Sequence, residues 1–567
     1  MPTCPAPSAR LACFSSAALR WLAPLLLGAW LTGCASLPGE VDRPVSTALA
    51  TPADTALGQA VQARAAKAGT RNDSGFALVN NAELAFTSRM ALINAAQKTL
   101  DIQYYAIHAD ETTDRMFEAL RNAAARGVRI RILLDDFNTS GKNAQVLKLA
   151  FEKNMELRLF NPLPGSRTSL FFRVLTSLKD TDRIQRRMHN KIFVADNAVA
   201  ITGGRNLGET YFGQGEGSNF IDADVLAAGR IVRELSRSFD LYWNNPLAYP
   251  VQSLMTAKEI EAMKPPPAAA QPAGAGASAT SEAASPSAGK SAGPDTAAVP
   301  AVRTVTALDG SVRAIEPLPD STNLALLEWT WAPSTLLVDK ASKIAADADE
   351  VEQAQDTTVD GLLQLMAGAK SDLLIVSPYF VPGRRMMEQL AAIRQKGVRI
   401  RVLTNSLASN DAPAAHVGYA RYRKELLGLG IELYEMRAEQ QGTLTSFGGL
   451  GSSGSAGGSR ASLHAKIVVL DNTLLVVGSM NLDLRSQLQN TEVALVIRSR
   501  KLSADTTRLL EPALARGAYK MELQDGQLVW RAPQGSTLKD SRTEPDASVG
   551  LKLMLKLIGP FAPDEML

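Results

Sequence analysis

The sequence predicts an α/β protein made of two homologous halves, related by a pseudo-twofold axis, with a functional site where the halves meet. Residues 188–206 (MHNKIFVADNAVAITGGRN) and 463–481 (LHAKIVVLDNTLLVVGSMN) share a frame in which a His is followed by Lys two residues on, Asp seven on, Gly fourteen on and Asn seventeen on. With each residue type near roughly 5% usage, four fixed matches after a given His arise by chance about once in 10⁵. The sequence GVRIR also occurs twice, 270 residues apart, close to the 275 residues between His189 and His464. The duplication therefore covers a whole fold and not only a local motif.

The N-terminal residues 1–33 have the features of a bacterial lipoprotein signal peptide. Two arginines precede a 12-residue apolar run, WLAPLLLGAWLT, which is shorter than the about 20 residues that span a bilayer. The run ends in Leu31-Thr32-Gly33-Cys34, which resembles a lipobox, so we expect cleavage before Cys34 and lipidation of that residue. The alternative is an ordinary signal peptide, or an uncleaved anchor, with an incidental cysteine. Because the other two cysteines lie in the part to be removed, the mature chain would hold neither an intramolecular disulfide nor a cysteine-based metal site.

Both halves show the element order of an α/β fold. In the first, DRMFEALRNAAARG (114–127) has helical apolar spacing and ends at a glycine, and the strand-like VRIRILL follows. The second half repeats this order in MMEQLAAIRQKGVRIRVL (386–403). We therefore predict a polar tether at 34–75, a first domain at 76–250 and a second domain at 321–520.

Three further segments are predicted from their composition. Residues 251–320 include KPPPAAAQPAGAGASATSEAASPSAGKSAGPDTAAVP, which buries too little apolar surface to fold and so indicates a disordered Ala/Pro/Ser/Gly-rich linker. The Gly- and Ser-rich residues 442–460 indicate a mobile loop at the rim of the site. In the C-terminal segment, 521–567, GLKLMLKLIGPF predicts a short helix that either lies in a membrane interface or docks onto the second domain.

Each repeated unit predicts a β-hairpin with a polar face. The runs MHNKIFVA and AVAIT flank Asp196-Asn197, and LHAKIVVL and LLVVG flank Asp471-Asn472, which are both turn pairs. Because residues two apart on a strand share a face, each His lies beside its Lys. The motif aspartates, Asp196 and Asp471, sit at the turns, so we expect them to fix the hairpins and not to touch substrate. The asparagine that ends each unit returns beside the His and Lys.

The residue types of the unit suit chemistry on a phosphodiester. One unit offers an imidazole, an ammonium and an amide, which together suit a phosphate anion. Two facing units let one imidazole attack phosphorus while the other protonates the leaving oxygen. The nucleophile must start neutral and the acid charged, and a carboxylate partner tunes that difference. From matching positions downstream, we expect Asp222 to orient His189 and Glu492 to orient His464.

These residues resemble the phospholipase D superfamily, whose signature is H-x-K-x4-D followed by G-[SG]-x-N. The resemblance covers residues 76–250 and 321–500, and RRMHNK, GGRNLGETYF, SPYFVP, LTNSLASND, HVGYARYRKELL and NTEVAL are most similar to bacterial cardiolipin synthases of the C type. It implies two phospholipase D-like domains, each a mixed β-sheet flanked by helices, and a phosphohistidine intermediate on His189 with no metal, nucleotide or other cofactor. Carried over by position, the catalytic residues are His189, His464, Lys191 and Lys466, and the phosphate-binding residues are Asn206, Asn481 and Ser479. The first motif has Gly204 where the second has Ser479.

The function implied by the resemblance is a phosphatidyltransferase that makes cardiolipin by exchange between phospholipids. Its expected partners are phosphatidylglycerol, with phosphatidylethanolamine as a second lipid, a membrane surface and, as an open alternative, a partner protein. One alternative function is a phosphodiesterase of the same superfamily, acting on phospholipid or nucleic acid, and another is a non-catalytic membrane lipoprotein scaffold. The net charge of only +3 argues against nucleic acid, and the intact duplicated motifs argue against a scaffold. Because Ala35 and not Asp follows Cys34, we expect a lipid-anchored protein of the cell envelope that faces the periplasm, with the outer membrane favoured and the inner membrane as the alternative.

Overall fold

We describe the protein from a computed structural model of the chain. The structure describes residues 37–165, 167, 169–177, 180–215, 217–264, 303–315, 321–439 and 460–558. The predicted signal peptide with Cys34, the Pro-rich part of the predicted linker at 265–302 and nearly all of the predicted loop at 442–460 lie outside these ranges. Within the ranges, no helix is both long enough and apolar enough to span a membrane.

The first half is a β-sheet with helices packed against it. Its strands are β1 (Ser74–Val79), β2 (Thr99–Tyr104), β3 (Arg129–Asp135), β4 (Met155–Phe160), β5 (Ile192–Ala195), β6 (Val199–Gly203), β7 (Ser218–Ile221), β8 (Asp224–Ala228) and β9 (Ala248–Pro250). Its α-helices are α1 (Ala56–Lys67), α2 (Ala82–Ala95), α3 (Glu111–Ala125), α4 (Leu170–Thr176), α5 (Thr181–Gln185), α6 (Arg230–Trp243) and α7 (Ala257–Met263). Short 3₁₀-helices lie at Pro52–Asp54, Gly141–Phe151, Glu209–Tyr211 and Val251–Leu254.

The connecting segment and the second half follow the same plan. The connection carries β10 (Arg303–Thr306), β11 (Val312–Ile315) and β12 (Thr330–Ala332). The strands that follow are β13 (Ser334–Val338), β14 (Asp372–Val376), β15 (Phe380–Val381), β16 (Arg399–Asn405), β17 (Glu432–Met436), β18 (Arg460–Leu463), β19 (Ile467–Leu470), β20 (Leu474–Gly478), β21 (Leu482–Asp483), β22 (Val493–Arg498), β23 (Ala518–Gln524) and β24 (Gln527–Arg531). The helices are a 3₁₀-helix at Ala341–Ile344, α8 (Ala348–Ala354), α9 (Thr358–Ala367), α10 (Gly383–Gln395), α11 (Pro413–Gly428), α12 (Leu484–Leu488), α13 (Arg500–Arg516) and α14 (Val549–Ile558).

The two large sheets share one strand order, which confirms the predicted duplication. The first runs β12-β1-β8-β6-β5-β2-β3-β4-β9 and the second runs β13-β22-β20-β19-β14-β16-β17-β23-β24. In each, three central strands are parallel, β2-β3-β4 and β14-β16-β17, and the other pairs are antiparallel. Both halves are therefore mixed α/β sheets, as predicted.

The helix–glycine–strand order predicted in both halves is present. Helix α3 begins at a capping box in which Asp110 and Thr113 each bond the other's backbone, and it ends before Gly127, whose φ is +94°. Helix α10 ends in the same way before Gly397, with φ +83°. A left-handed residue at these points turns the chain directly into the parallel strands β3 and β16.

The motif aspartates fix the hairpins, as predicted. In both turn pairs the Asp and the Asn have φ near +50°, the geometry of a tight two-residue hairpin. The carboxylate of Asp196 accepts hydrogen bonds from the backbone N–H groups of residues 97, 98 and 99 at 2.8–2.9 Å. Asp471 accepts the equivalent bonds from residues 370, 371 and 372. Each aspartate therefore ties its hairpin to the start of the neighbouring strand, β2 or β14, and lies away from the site.

A core shared by both halves holds them together. It is formed by the inner faces of the two sheets, with Val194 and Val225 from the first half and Ile467 and Leu495 from the second. Helices α6 and α13 contribute apolar side chains to the same core. Each half also has its own outer core against its remaining helices. The two hairpins thus face each other across a packed interface.

The predicted polar tether at 34–75 is wrong for the part that the structure describes. Residues 43–49 lie along the first domain, and α1 follows them. The buried guanidinium of Arg131 donates to the carbonyl of Ser46 at 2.8 Å, and that of Arg158 donates to the carbonyl of Pro44 at 2.6 Å. Buried arginines need acceptors, and the backbone of this segment, called the strap here, supplies them.

The boundaries of the predicted linker at 251–320 are also wrong. Residues 251–263 form a 3₁₀-helix and α7, and β10 and β11 form a hairpin beside α3. Val305 and Leu308 are buried there, and the carbonyl of Leu308 accepts a hydrogen bond from Lys148 Nζ at 2.8 Å. These few apolar contacts lie in a segment whose average composition is typical of disorder, which is why composition alone missed them.

The second domain extends beyond the predicted boundary at residue 520. Strand β24 pairs with β23 at the edge of the second sheet. Farther on, Glu544 reaches back to α11, where its carboxylate accepts hydrogen bonds from the buried Arg423. The C-terminal segment is therefore docked on the second domain up to α14, which packs beside α11.

Candidate active site

The two repeated histidines meet at the interface because each lies on a segment that pairs with the opposite half. Strand β18 runs parallel to β7, and the N–H of His464 donates to the carbonyl of Ile221 at 2.8 Å. In the other direction, Met188 bridges to Thr491, and the N–H of His189 donates to the carbonyl of Thr491 at 2.9 Å. Backbone hydrogen bonds between the halves thus set the position of both imidazoles.

The carboxylate partners of the histidines are crossed, which corrects the predicted pairing. His189 Nδ1 lies 3.0 Å from both carboxylate oxygens of Glu492, and His464 Nδ1 lies 2.6 Å from Asp222 Oδ2. Both carboxylates do orient a histidine, but each orients that of the other half. The reason is the strand pairing: the residue that follows β7 lies beside His464, and the residue that precedes β22 lies beside His189.

The partners also select the reactive nitrogen. A carboxylate acceptor holds the proton on Nδ1, so Nε2 of each neutral ring carries the lone pair. Both residues are almost fully covered, with 9% exposure for His189 and 5% for His464. Each Nε2 is therefore the atom that would meet phosphorus or a leaving oxygen.

The two motif lysines lie beside the histidines, as predicted. Lys191 Nζ donates to the carbonyl of His189 at 2.8 Å, and Lys466 Nζ donates to the carbonyl of His464. Burial lowers the pKa of Lys191 to about 7 and that of Lys466 to about 8. Burial removes water from both ammonium groups, so an anion bound next to them would stabilise their charged form.

The two histidine–carboxylate pairs differ in charge. Burial raises the pKa of Glu492 to about 7. Although burial opposes it, the neighbouring His464 and Lys466 hold the pKa of Asp222 down at about 2. Burial, together with Lys191 and Lys466, lowers the pKa of His189 well below its ordinary value. For His464, burial and Lys466 lower the pKa while the Asp222 carboxylate opposes them. The site is thus symmetric in residue types but not in protonation.

The asparagines and the serine have unequal surroundings. Asn206 Nδ2 donates to the hydroxyl of Tyr211 at 3.0 Å, whereas Asn481 Oδ1 is buried and has no hydrogen-bond partner among the described residues. Ser479 was predicted to bind phosphate, but its hydroxyl donates to Glu492 and accepts the N–H of Val493 at 3.0 Å. Ser479 therefore acts on the carboxylate that holds His189.

The Gly/Ser difference between the motifs has a steric cause. A Cβ placed on Gly204 would lie 2.1 Å from Asp222 Oδ1. In the first half the shorter carboxylate lies directly over the backbone, and only glycine leaves room for it. In the second half the longer Glu492 stands farther out, and Ser479 fills the space.

Aromatic side chains that the sequence analysis did not single out line the site. The ring of Tyr105 lies edge-on to His189, with centroids 5.1 Å apart. Tyr211 and Phe220 lie against His464, at 5.4 and 5.0 Å. All three come from the first half, and Tyr211 occurs in GETYF, just after the repeated unit at 188–206, which was the available signal for it.

No group of three or more His, Cys, Asp or Glu side chains suited to a metal ion occurs within the described ranges. The four polar groups that converge on the interface are instead imidazoles and amines. This donor set suits the binding of an anion such as a phosphate.

Comparison with known proteins decides the family. The profile of the family described as "Cardiolipin synthase, PLD-like domain" matches residues 90–243 and 362–512, more than half of the chain. The chain belongs to the phospholipase D superfamily, in its cardiolipin synthase-like branch.

Relatives cover most of the chain. It is 35% identical to cardiolipin synthase C of Escherichia coli over 479 residues, which is 83% of this chain and 92% of that protein. It is 28% identical to an uncharacterized protein of Helicobacter pylori over 495 residues, 85% of this chain and 88% of the relative.

A solved structure shows the same fold. The phosphatidylserine synthase of Haemophilus influenzae superposes with a TM-score of 0.52 at 12% identity, covering 88% of this chain and 97% of the other. Two phospholipase D-like domains are thus the architecture of this member of the superfamily, which is a phospholipid enzyme. The matched ranges contain both histidines, both lysines and both carboxylates of the site.

Proposed function

We propose that this enzyme is a phosphatidyltransferase that makes cardiolipin by exchange between phospholipids, through a phosphohistidine intermediate. The observation that carries the proposal is the pair of imidazoles, each held at Nδ1 by a carboxylate of the opposite half. The similarity to cardiolipin synthase C over most of both chains supports the choice of substrate.

In the first step, His189 Nε2 attacks phosphorus of a donor phospholipid. A P–N bond forms, the bond from phosphorus to the departing headgroup oxygen breaks, and that oxygen takes a proton from His464 Nε2. The ammonium groups of Lys191 and Lys466 and the amides of the two motif asparagines bind the non-bridging oxygens as charge develops on them.

In the second step, His464 acts as the base. Its Nε2 takes the proton of an acceptor hydroxyl, the acceptor oxygen attacks phosphorus, and the P–N bond breaks to restore neutral His189. One phosphodiester replaces another, so no nucleotide is consumed. If the acceptor is the glycerol headgroup of phosphatidylglycerol, the product is cardiolipin.

The unequal charges of the two pairs support His189 as the nucleophile. A nucleophile must start neutral, and burial next to Lys191 and Lys466 keeps the pKa of His189 well below its ordinary value. A general acid must start protonated, and His464 lies 2.6 Å from Asp222, a carboxylate that is ionised at neutral pH. Burial and Lys466 lower the pKa of His464 as well, but the Asp222 carboxylate opposes them, so His464 is the more readily protonated of the two histidines.

Two features support work at a membrane surface. Helix α14 presents Val549, Leu553 and Leu557 to solvent, at 83%, 55% and 62% exposure, in one row of residues four apart. Lys552 and Lys556 flank that row, a pattern that suits an anionic lipid interface. The predicted lipid on Cys34 would add a second attachment. Since Arg43 is already docked on the first domain, the free length after Cys34 is short.

The lipidated enzyme would then lie close to its membrane and face the periplasm. Eight residues lie between Cys34 and Arg43, and the nine residue steps allow a reach of about 30 Å when extended. Because Ala35 follows Cys34, we propose the outer membrane as the destination of the protein. We also include a partner protein as part of the proposal.

The test is lipid analysis of bacteria that lack their own cardiolipin synthases and carry the wild-type chain, His189→Ala or His464→Ala. We expect cardiolipin only with the wild type. His189→Ala lacks the nucleophile, and His464→Ala lacks the group that donates and accepts the proton. In vesicles, the purified enzyme should form cardiolipin at the same rate with or without a chelator, and with or without added nucleotide. Phosphatidic acid in place of cardiolipin would indicate the hydrolase, and unchanged lipids with a folded wild-type protein would indicate the scaffold.

A further inference from the structure

The repeated unit is nearly symmetric, but the groups around its open side are not. On the His464 side stands Asp411, in the loop between β16 and α11, with an exposed side chain. Its carboxylate accepts a hydrogen bond from the Tyr379 hydroxyl at 2.8 Å and lies 3.3 Å from Ser462 Oγ. Asp411 takes no part in either step of the proposed reaction.

Asp411 faces the catalytic centre. Ser462 is two residues before His464, so the two project from the same face of the chain. Tyr379 precedes β15, which pairs with β21 directly after Asn481. Burial is the largest influence lowering the pKa of His464 and of Lys466, and the Asp411 charge is among the groups that act in the opposite direction on both. The carboxylate therefore lies beside the reacting groups and open to solvent.

Among the residues that the structure describes, the positions that match Ser462 and Tyr379 on the His189 side hold no such carboxylate pair. In the duplicated frame, the position of Ser462 is taken by Arg187 and that of Tyr379 by Ala106. Arg187 is buried and bonds the buried Asp135 at 3.0 Å, so that pair carries no net charge. The cation Arg485 lies on this side and is one of the charges that, after burial and the lysines, lower the pKa of His189.

A carboxylate next to a phosphate site repels the phosphate, so it stabilises a complex only when the ligand also carries donors. In a phospholipid, the atoms just beyond the phosphodiester carry an ammonium or hydroxyl groups. An ammonium would be attracted to Asp411 and repelled by Arg485, and a hydroxyl can donate a hydrogen bond to the Asp411 carboxylate. The charges thus orient the headgroup toward His464, the proposed acid.

We propose that Asp411 and Tyr379 form a headgroup subsite that binds the ammonium or hydroxyl donors of the phospholipid whose phosphorus lies between His189 and His464. The inference rests on the proposed function and names the part of the substrate that each side of the site recognises. Tyr379 holds the carboxylate in place and presents its own oxygen as a second acceptor.

The test compares Asp411→Asn with the wild type on three donors in vesicles, with the same acyl chains and an ethanolamine, a glycerol or a methyl headgroup. Phosphatidylmethanol has the phosphodiester but no headgroup donor. We expect the kcat/KM of the ethanolamine or glycerol donor, relative to the methyl donor, to fall about tenfold, the worth of one charge-assisted hydrogen bond. A fall for ethanolamine alone assigns an ammonium site, a fall for glycerol alone assigns a hydroxyl site, and a fall for both assigns their shared chemistry.

Tyr379→Phe should change the same ratios in the same direction and by less. The matched control is Asp505→Asn, which removes a surface aspartate paired with Lys501 and should leave all ratios unchanged. Equal losses of Asp411→Asn on all three donors, or no loss, would overturn the subsite, and a thermal unfolding curve like that of the wild type would exclude misfolding. Absence of turnover by the wild type on every donor would instead contradict the proposed function.

Discussion

The crossed pairing makes a sharp kinetic prediction. Glu492→Gln removes the charge that holds His189, and Asp222→Asn removes the charge that holds His464, while both leave an amide of nearly the same shape. Each carboxylate variant should therefore resemble a mild form of the histidine variant from the opposite half. Glu492→Gln should resemble His189→Ala, and Asp222→Asn should resemble His464→Ala.

The size of the effect follows from the contacts. A hydrogen bond to a charged group contributes about 1.5–3 kcal/mol and a neutral one about 0.5–1.5, so the difference is about 1–1.5 kcal/mol, or roughly 5- to 12-fold in rate. Because burial raises the pKa of Glu492 to about 7, that residue is mostly ionised only above pH 7. The loss in Glu492→Gln should thus grow as pH rises through 7. Asp222, whose pKa is about 2, is ionised throughout, so the loss in Asp222→Asn should not depend on pH in this way.

The assay uses two donors, a natural phospholipid and one with a p-nitrophenyl headgroup, which leaves without a general acid. At pH 8, the release of p-nitrophenol in a single turnover, before His464 is needed as the base, should regain much of its rate in Asp222→Asn and His464→Ala. It should regain little in Glu492→Gln and His189→Ala, since these affect the attacking group. Rescue of Glu492→Gln together with His464→Ala would show that the carboxylates serve the histidines of their own halves, and would refute the crossed arrangement.

The remaining predictions concern pH and the membrane. As pH rises through 7 to 8, Lys191 and Lys466 lose the positive charge that binds phosphate, so kcat/KM for the donor should fall, as a pH–rate profile would show; a flat profile up to pH 9 would contradict the lowered pKa values of both lysines. Leu553→Asp with Leu557→Asp should weaken binding to anionic vesicles in a sedimentation assay, and equal binding would exclude α14 as a contact. Cys34→Ser should release protein from membranes in fractionated cells, whereas full retention would point to another anchor.

The sequence predicted most of the site because the repeated unit is short and local. Within 17 residues the hairpin turn, the strand period and the return of the chain fix the relative positions of His, Lys, Asp and Asn. The role of Asp196 and Asp471 followed from their positions at the turns alone. These are constraints that neighbouring residues impose on one another, so they can be deduced without the rest of the fold.

The crossed carboxylates could not be found in this way. Asp222 and Glu492 were identified as residue types at equivalent positions, but equivalence does not say which half each one faces. The answer depends on β18 pairing with β7, two strands 242 positions apart in register at Leu463 and Ile221. No periodicity within either half encodes that contact.

Segments held by their backbone were missed for a different reason. The strap at residues 43–49 and the hairpin of β10 and β11 are short, and the hairpin adjoins a long stretch whose composition is typical of disorder. The strap is held by carbonyls that accept hydrogen bonds from the buried Arg131 and Arg158. Every residue has a carbonyl, so such docking leaves no signature in side-chain composition.

The crossing also explains why the site needs both halves together. Each imidazole depends on the opposite half twice, once for the carbonyl that fixes its backbone, Thr491 or Ile221, and once for the carboxylate at Nδ1. A shift of about 1 Å between the halves would break both histidine–carboxylate bonds together, since hydrogen bonds weaken steeply beyond about 3.2 Å. The core shared by the two sheets is what prevents that shift. The packing of the interface therefore controls the geometry of the site. A cavity made in the shared core, away from any reacting atom, should reduce turnover because it disturbs both histidines at once.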